Sequence, residues 1–212
     1  MTVSYMNEYQ NVTYNFFKWR HELEFLHKVV LALTFACLTG LLAQARFYLP
    51  WSPVPVTAQT FAVLLSAVVL GRWGGVSQGI YVVLGIVGIP WFAGTAAGIG
   101  VLFGPTGGYL LGFIAAAFFL GHYFDRSVDS REFKQMLPLM SFASFVIIYG
   151  LGLVWLYGWL TFVTGISVSH GALLNMGATP FIAGDLVKIL AAAGLGTAIT
   201  PKQAFGDERS RV

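Results

Sequence analysis

The sequence L-F-G-P-T-G-G-Y-L-L-G-F, from Leu102 to Phe113, lies between two long apolar runs of the chain. Three glycines and a proline fall within positions 104–108, so the backbone there cannot be a regular helix throughout. An irregular backbone at membrane depth is tolerated only where protein buries it or where it lines a cavity. A helix beginning between Thr106 and Gly108 would also point free N–H groups at its neighbour. The stretch therefore predicts one wall of a small-molecule site, with a tight connection between two membrane helices as the alternative.

The composition is that of an integral membrane protein. Of the 212 residues, 57% are hydrophobic and 10% are charged, whereas soluble domains average about 25% charged residues. Long apolar stretches account for the high hydrophobic fraction, and the length of the chain suits about six spans of roughly 20 residues each. We therefore predict an all-α protein with six transmembrane helices in the lipid bilayer. The net charge of +3 does not indicate nucleic-acid binding, because the basic residues scatter among the predicted loops.

The chain divides into three predicted regions. Residues 1–25 form a polar and aromatic N-terminal tail, in which we expect a helix at the membrane surface, with a frayed tail as the alternative. Residues 26–199 form the six-helix membrane domain, and residues 200–212 form a cytoplasmic C-terminal tail. The predicted spans cover residues 26–45, 56–70, 76–89, 107–124, 136–164 and 180–198.

The basic residues predict the orientation of the chain. With six spans, ten of the 12 lysines and arginines fall on one side, Arg46 is alone on the other side, and Lys188 lies within a span. The excess of positive charge on one side places both termini in the cytoplasm, in a multi-pass protein of the cell membrane. The loops on the outer face are then 46–55, 90–106 and 165–179. We expect these irregular loops, with a lid over residues 91–105, to cap a ligand pocket.

Asp185 and Lys188 are the strongest chemical signal. Both lie within the apolar run P-F-I-A-G-D-L-V-K-I-L-A-A-A, and their i, i+3 spacing places them on one face of a helix. A charge at this depth costs a few kcal/mol, so each side chain should face a cavity or a partner. The pair suits a ligand that has N–H donors and a carbonyl or carboxylate group. A structural ion pair without a ligand is the alternative.

Further polar and aromatic residues accompany this pair. Gln59, Gln78 and Tyr81 lie in or beside apolar spans, and Gln78 and Tyr81 share a helix face. Each alone is typical of an interhelical hydrogen bond, but together with Asp185 they indicate a polar pocket. The aromatic residues that could form its flat walls, or could instead anchor the chain at the membrane interface, are Trp51, Trp91, Phe92 and Tyr109.

A row of small residues lies on the first span. Ala32, Ala36 and Gly40 are spaced four residues apart and permit another helix to approach closely. Such a face more often packs inside the same protein than against a partner subunit.

Several classes of protein are disfavoured because their motifs are absent from this sequence. It contains no G-x-x-x-x-G-K-[ST] nucleotide-binding loop, no H-E-x-x-H and no cluster of metal ligands. Its one cysteine, Cys37, cannot form an intrachain disulfide. We therefore expect a binding or transport protein rather than an enzyme, with no catalytic residues, no metal site and no cofactor.

Four motifs follow one another along the chain. They are P-W-S-P-V-P-V-T-A-Q-T-F-A-V-L-L at 50–65, S-Q-G-I-Y-V-V-L-G-I-V-G-I-P-W-F-A-G at 77–94, G-P-T-G-G-Y-L-L-G-F at 104–113 and P-F-I-A-G-D-L-V-K at 180–188. Over roughly residues 28–198 the chain resembles the BioY family, the biotin-specific substrate-binding (S) components of energy-coupling factor (ECF) transporters. The resemblance implies a six-helix protein that captures biotin from outside with high affinity. It also implies that a separate transmembrane scaffold (T) subunit and ATPase (A) subunits energise uptake.

The resemblance also implies roles for individual residues. Asp185 and Lys188 look like the family's polar ligand contacts, and the turn from Gly104 to Tyr109 looks like the one beside bound biotin. The A-L-T-F-A run from Ala32 to Ala36 is similar to the motif through which such components dock on the scaffold. The full set expected at biotin is Asp185, Lys188, Gln78, Tyr81, Gly104, Thr106, Gly107, Tyr109, Trp51, Trp91 and Phe92.

Two other functions stay open from the residues alone. One is a stand-alone, ion-coupled secondary transporter of a small vitamin-like carboxylate, in which Asp185 is a proton-linked carboxylate. The other is a structural membrane subunit with a packed ion pair and no ligand. Biotin binding by the purified protein would separate the structural subunit from the other two. Uptake into liposomes without an ATPase would separate secondary transport from the ATPase-driven process.

Overall fold

The computed structural model describes residues 2–204, with side chains described from Tyr9 onward. Its regular structure in that range is helical apart from one pair of two-residue strands. The predicted all-α class is therefore confirmed. The α-helices are α1 (Thr2–Glu22), α2 (Phe25–Gln44), α3 (Gln59–Leu70), α4 (Trp73–Val87), α5 (Ile99–Leu102), α6 (Gly107–Arg126), α7 (Phe133–Phe142), α8 (Tyr149–Gly158), α9 (His170–Gly177) and α10 (Thr179–Ile199).

Shorter elements connect or interrupt these helices. The strands β1 (Arg46–Phe47) and β2 (Val56–Thr57) pair antiparallel, with Arg46 opposite Thr57. A 3-10 turn spans Asp129–Arg131, and π-helical segments at Ala143–Ile148 and Trp159–Val163 follow α7 and α8. The first π segment connects α7 to α8 and the second extends the end of α8, so residues 133–163 form one long interrupted helix.

Four helical segments among the described residues are long and apolar enough to cross a membrane. They are Phe25–Gln44, Gly107–Arg126, Phe133–Val163 and Thr179–Ile199. Two further apolar helices, Gln59–Leu70 and Trp73–Val87, are shorter than a full crossing. These six segments correspond to the six predicted spans, but only four meet the length of a full span, so the count of six stays a prediction.

Helix α6 lies at the centre of the bundle. It packs against α3, α4, α8 and the π segment at 143–148. Glycines permit this close approach, because a Cβ added at Gly112 would lie 2.9 Å from the Cα of Ile148. One added at Gly121 would collide with the backbone of Gly71. The apolar side of α6 completes the core through Phe113 and Leu120, so the helix packs closely against its neighbours.

The predicted N-terminal helix is present as α1 and rests on the bundle. The Tyr9 hydroxyl donates to the Ala198 carbonyl at 2.9 Å. Arg20 Nη1 donates to the Val69 carbonyl at 2.7 Å, and Arg20 Nη2 donates to Asp125 Oδ1 at 3.4 Å. The helix thus reaches from the end of α10 to the ends of α3 and α6. Its position at a membrane surface stays a prediction.

The predicted docking face on α2 requires a correction. Ala32 and Ala36 are both 0% exposed, since α2 packs against α3 and α4 within the same chain. A partner subunit cannot contact either methyl group in this structure. The small-residue row therefore serves internal packing, which is the role that its spacing alone favours.

Two of the basic residues expected in the cytoplasmic tail, Arg209 and Arg211, lie outside the described residues.

Candidate functional site

A partly enclosed cavity of about 410 Å³ opens at one end of the bundle. Its volume lies within the range of small-molecule sites. It forms where α3 and α6 begin, beside α4, α8 and α10, and the loops that precede α3 and α6 cover it. Residues with polar side chains in its lining are Tyr48, Thr57, Gln59, Thr60, Tyr81, Thr106, Tyr109, Tyr149, Asp185 and Lys188.

Asp185 and Lys188 face this cavity together, as their spacing predicts. Lys188 Nζ donates to Asp185 Oδ1 at 2.6 Å and to the Thr57 carbonyl at 2.6 Å. The other carboxylate oxygen, Oδ2, accepts a hydrogen bond from the Tyr149 hydroxyl at 2.6 Å. Asp185 is 3% exposed, so this carboxylate is buried with both of its oxygens paired.

This arrangement leaves hydrogen-bonding capacity for a ligand. Each oxygen of Asp185 can accept a second hydrogen bond, and the ammonium group of Lys188 has three donors, of which two are used. The two charges cancel, which reduces the cost of holding them in a low-dielectric site. The Asp185 carboxylate therefore offers an acceptor and the Lys188 ammonium group offers a donor. Together they suit a neutral polar group that has both N–H and C=O.

Gln59 and Tyr81 form a second polar group on the cavity wall. Gln59 Nε2 donates to the Tyr81 hydroxyl oxygen at 2.8 Å, and Gln59 Oε1 accepts from Thr57 Oγ1 at 3.1 Å. The ring of Phe92 meets the ring of Tyr81 edge to face at 5.3 Å between centroids. Gly85 leaves room for Phe92, because a Cβ at this glycine would collide with the Phe92 ring.

The turn at 104–107 forms another wall and begins α6 where the sequence predicts. Trp155 Nε1 donates to the Gly104 carbonyl at 3.0 Å and holds the turn from behind. Gly104, Thr106 and Tyr109 line the cavity. The Tyr109 hydroxyl donates to the Gly177 carbonyl at 2.7 Å, which ties α6 to the end of α9. The predicted wall thus lines the cavity and is hydrogen-bonded to the neighbouring helices.

The predicted lid over residues 91–105 contains the short helix α5 and covers the cavity with Phe92, Ala93, Ala96 and Ala97. Gln44, at the end of α2, fastens it: its Nε2 donates to the Trp91 and Phe92 carbonyls, both at 3.1 Å. Its Oε1 accepts from the Thr95 backbone N–H at 3.2 Å. Sequence reasoning missed Gln44, because only the folded chain brings α2 to this loop.

Gln78 is not part of the cavity lining, although a ligand contact was predicted for it. It is 0% exposed, and its Nε2 donates to Thr39 Oγ1 at 3.2 Å and to Ser66 Oγ at 3.3 Å. The side chain therefore joins α2, α3 and α4. The interhelical hydrogen bond, which was the alternative from sequence, is the one observed.

Three other predicted contacts also lie behind or beyond the cavity wall. Trp51 is 57% exposed on its loop and does not reach the site. The Trp91 indole donates to the Tyr81 carbonyl at 2.9 Å and packs on the Tyr81 ring at 5.4 Å, so it supports a lining residue. Gly107 permits the close approach of its backbone to the Leu102 carbonyl, with which any Cβ would collide.

Tyr149 is the most important cavity residue that sequence reasoning missed. It follows directly on the π segment at 143–148, and its hydroxyl contacts Asp185. Isolated π segments inside helices are frequent at functional sites. A tyrosine inside a long apolar span was the one available signal, but the sequence does not show which way a helix with π turns directs it.

Comparison with known proteins gives a consistent result. The model of the BioY family matches residues 10–204. A probable biotin transporter BioY of Methanothermobacter thermautotrophicus is 52% identical over 145 residues, which are 68% of this chain and 92% of that protein. The biotin transporter BioY of Thermotoga maritima is 39% identical, over 68% of this chain and 80% of that protein.

A solved structure has the same fold. The crystal structure of the S-component for biotin from an ECF-type ABC transporter superposes with a TM-score of 0.72 at 20% identity, over 84% of this chain and 93% of that chain. The predicted S-component-like architecture is therefore confirmed. Because the family model spans residues 10–204 and the archaeal relative is 52% identical, the chain belongs to the BioY family.

Proposed function

We propose that this chain binds biotin with high affinity in the cavity at Asp185 and Lys188 and mediates its uptake across the cell membrane. Relatives that are 52% and 39% identical to this chain are named biotin transporters. The chain is a transporter component and not an enzyme. The observation that carries the proposal is a buried, neutral Asp–Lys pair with spare hydrogen-bonding capacity in a cavity of about 410 Å³.

The ureido ring of biotin matches this pair. It has two N–H donors and one carbonyl acceptor, and it carries no charge. An Asp185 oxygen accepts from a ureido N–H, and the free donor of Lys188 bonds to the ureido carbonyl. The fused ring and the aliphatic chain pack against the apolar part of the lining, which includes Phe92, Leu110, Phe113 and Phe181.

Energy for uptake comes from separate subunits in this proposal. The sequence has no nucleotide-binding loop of its own, and the solved structure with the same fold is described as a component of an ECF-type ABC transporter. A transmembrane scaffold subunit and ATPase subunits are therefore the proposed partners. Reconstituted uptake of labelled biotin should require all of them and ATP. Accumulation by this chain alone, driven by an ion gradient, would contradict this and favour secondary transport.

The cavity faces the outside of the cell in this proposal. Arg72 follows the end of α3 and Arg126 is the last residue of α6, whereas the cavity lies where these two helices begin. Cytoplasmic loops of membrane proteins carry an excess of lysine and arginine. Such an orientation also places both chain termini in the cytoplasm.

Isothermal titration of the purified protein tests the binding proposal. Biotin should bind tightly, and diaminobiotin, in which the ureido carbonyl is absent, should bind several orders of magnitude more weakly. A site that pairs a ligand's polar groups leaves its own groups unpaired when these are missing. Equal affinity for the two compounds would contradict the proposed role of Asp185 and Lys188.

A further inference from the structure

The charged side chains that line the cavity do not compensate the charge of an anionic ligand. Asp185 and Lys188 are the charged residues among those that line the cavity in the described chain. They are bonded to each other at 2.6 Å, so their combined charge is zero. A substrate that carries one carboxylate therefore brings an uncompensated negative charge to this end of the bundle. A cation near the cavity mouth would compensate it.

Arg46 stands beside that mouth. It is the first residue of β1 and lies opposite Thr57, whose carbonyl accepts from Lys188. A Cβ added at Gly94 would lie 2.9 Å from the Tyr48 hydroxyl oxygen and 3.7 Å from Arg46 Nε. The guanidinium group, the Tyr48 hydroxyl and the lid thus meet at one place. Tyr48 lines the cavity and is 58% exposed, which marks this place as part of the rim.

The charge of Arg46 is not neutralised by the protein around it. Loops 46–55, 90–106 and 165–179 contain no aspartate or glutamate, and none of the ion pairs found among the described residues involves Arg46. Arg46 Nη1 donates to Gln44 Oε1 at 2.9 Å. This bond to a neutral amide orients the guanidinium group but leaves its charge and its remaining N–H donors available.

We propose that Arg46 determines specificity for the anionic form of the substrate by receiving its carboxylate at the rim of the cavity, with Gln44 as the positioning residue. The inference rests on the proposed binding of biotin. With the ureido ring at Asp185 and Lys188, the aliphatic chain extends towards Tyr48 and delivers the carboxylate to the guanidinium group. Guanidinium groups bind carboxylates in a bidentate geometry that a neutral ester cannot match.

Affinities for biotin and for biotin methyl ester test this assignment in the full-length purified protein. The wild type should prefer biotin by about 10- to 100-fold, as expected for hydrogen bonds to a charged group. Arg46→Gln should lose this preference and bind the ester as the wild type does. Arg46→Lys should retain part of the preference, because it keeps the charge without the planar fork. The matched control is Arg72→Gln, an exposed arginine at the opposite end, which should preserve the preference.

Several results would overturn the assignment. One is an Arg46→Gln variant that still prefers biotin, which would mean that another group receives the carboxylate. Another is an equal loss of affinity for both compounds, which would mean that Arg46 only supports the lid. A wild type that binds both compounds equally overturns it even if no variant folds. Failure of the proposed function is distinct, since the wild type would then bind neither compound.

Discussion

Tyr149 and Asp185 form the closest polar contact between two side chains of α8 and α10, at 2.6 Å. The tyrosine hydroxyl holds the carboxylate in place where it lines the cavity. We predict that Tyr149→Phe lowers the affinity for biotin by about tenfold, because a hydrogen bond to a charged group is lost while the ring is retained. The control is Tyr157→Phe, a 45% exposed tyrosine on the same helix. Equal affinities of Tyr149→Phe and the wild type in titrations with labelled biotin would contradict the positioning role.

Substitutions of Asp185 can separate the contribution of its charge from that of its shape. We predict that Asp185→Ala has no detectable binding, since it removes a charge-assisted acceptor and leaves Lys188 unpaired at a buried site. Asp185→Asn keeps one acceptor oxygen and should bind better than alanine and much worse than aspartate. Gln78→Ala should weaken binding less, because Gln78 does not line the cavity. If Asp185→Ala elutes as a folded protein and binds like the wild type, the ion pair is structural.

The sequence could predict which way some of these side chains face, but not others. Two charges spaced i, i+3 within an apolar run must share a face that is sheltered from lipid, so the sequence could predict that Asp185 and Lys188 face a cavity, which they line. Gln59 and Gln78 could not be distinguished, because both are amides in apolar helices. Only the packing shows that Gln59 begins α3 at the cavity, while Gln78 is enclosed between helices.

At the scale of elements, the row of small residues on α2 is buried, so larger side chains in this row should lower the stability of the protein. Ala36 is 0% exposed, so we predict that Ala36→Leu overpacks the core and costs about 1–3 kcal/mol of stability. The neighbouring variant Cys37→Leu, at an exposed position, should be close to neutral. Thermal unfolding of the detergent-solubilised variants provides the measurement. An Ala36→Leu protein with unchanged melting temperature that no longer copurifies with the scaffold subunit would restore the docking role.

The long helix at 133–163 could be predicted from the sequence only in part. Its apolar length and the beginning of α6 at Gly107 follow from hydropathy and from the Gly-Pro-Thr-Gly-Gly sequence. The π segments at 143–148 and 159–163 do not, because they depend on how neighbouring helices pack. The segment at 143–148 directly precedes Tyr149 and changes the direction of its side chain, which is why this partner of Asp185 was missed.

The whole molecule has a strongly uneven distribution of charge along its axis. The outer loops contain one arginine, whereas the sequence places ten lysines and arginines at the other end, which predicts that the lid faces the cell exterior. In a Cys37→Ser background, a cysteine introduced at Thr95 should react with a membrane-impermeant maleimide in intact cells. One introduced at Gln203 should react only after permeabilisation. The reverse pattern would contradict the orientation.

The central claim is that biotin occupies the cavity at Asp185 and Lys188, and an experimental structure of the purified protein with biotin tests it most directly. We predict density for the ureido ring within hydrogen-bond distance of Asp185 and Lys188, with the aliphatic chain against Phe92 and the carboxylate towards Arg46. A structure in which biotin binds elsewhere, while the Asp185–Lys188 pair stays sealed by protein, would contradict it.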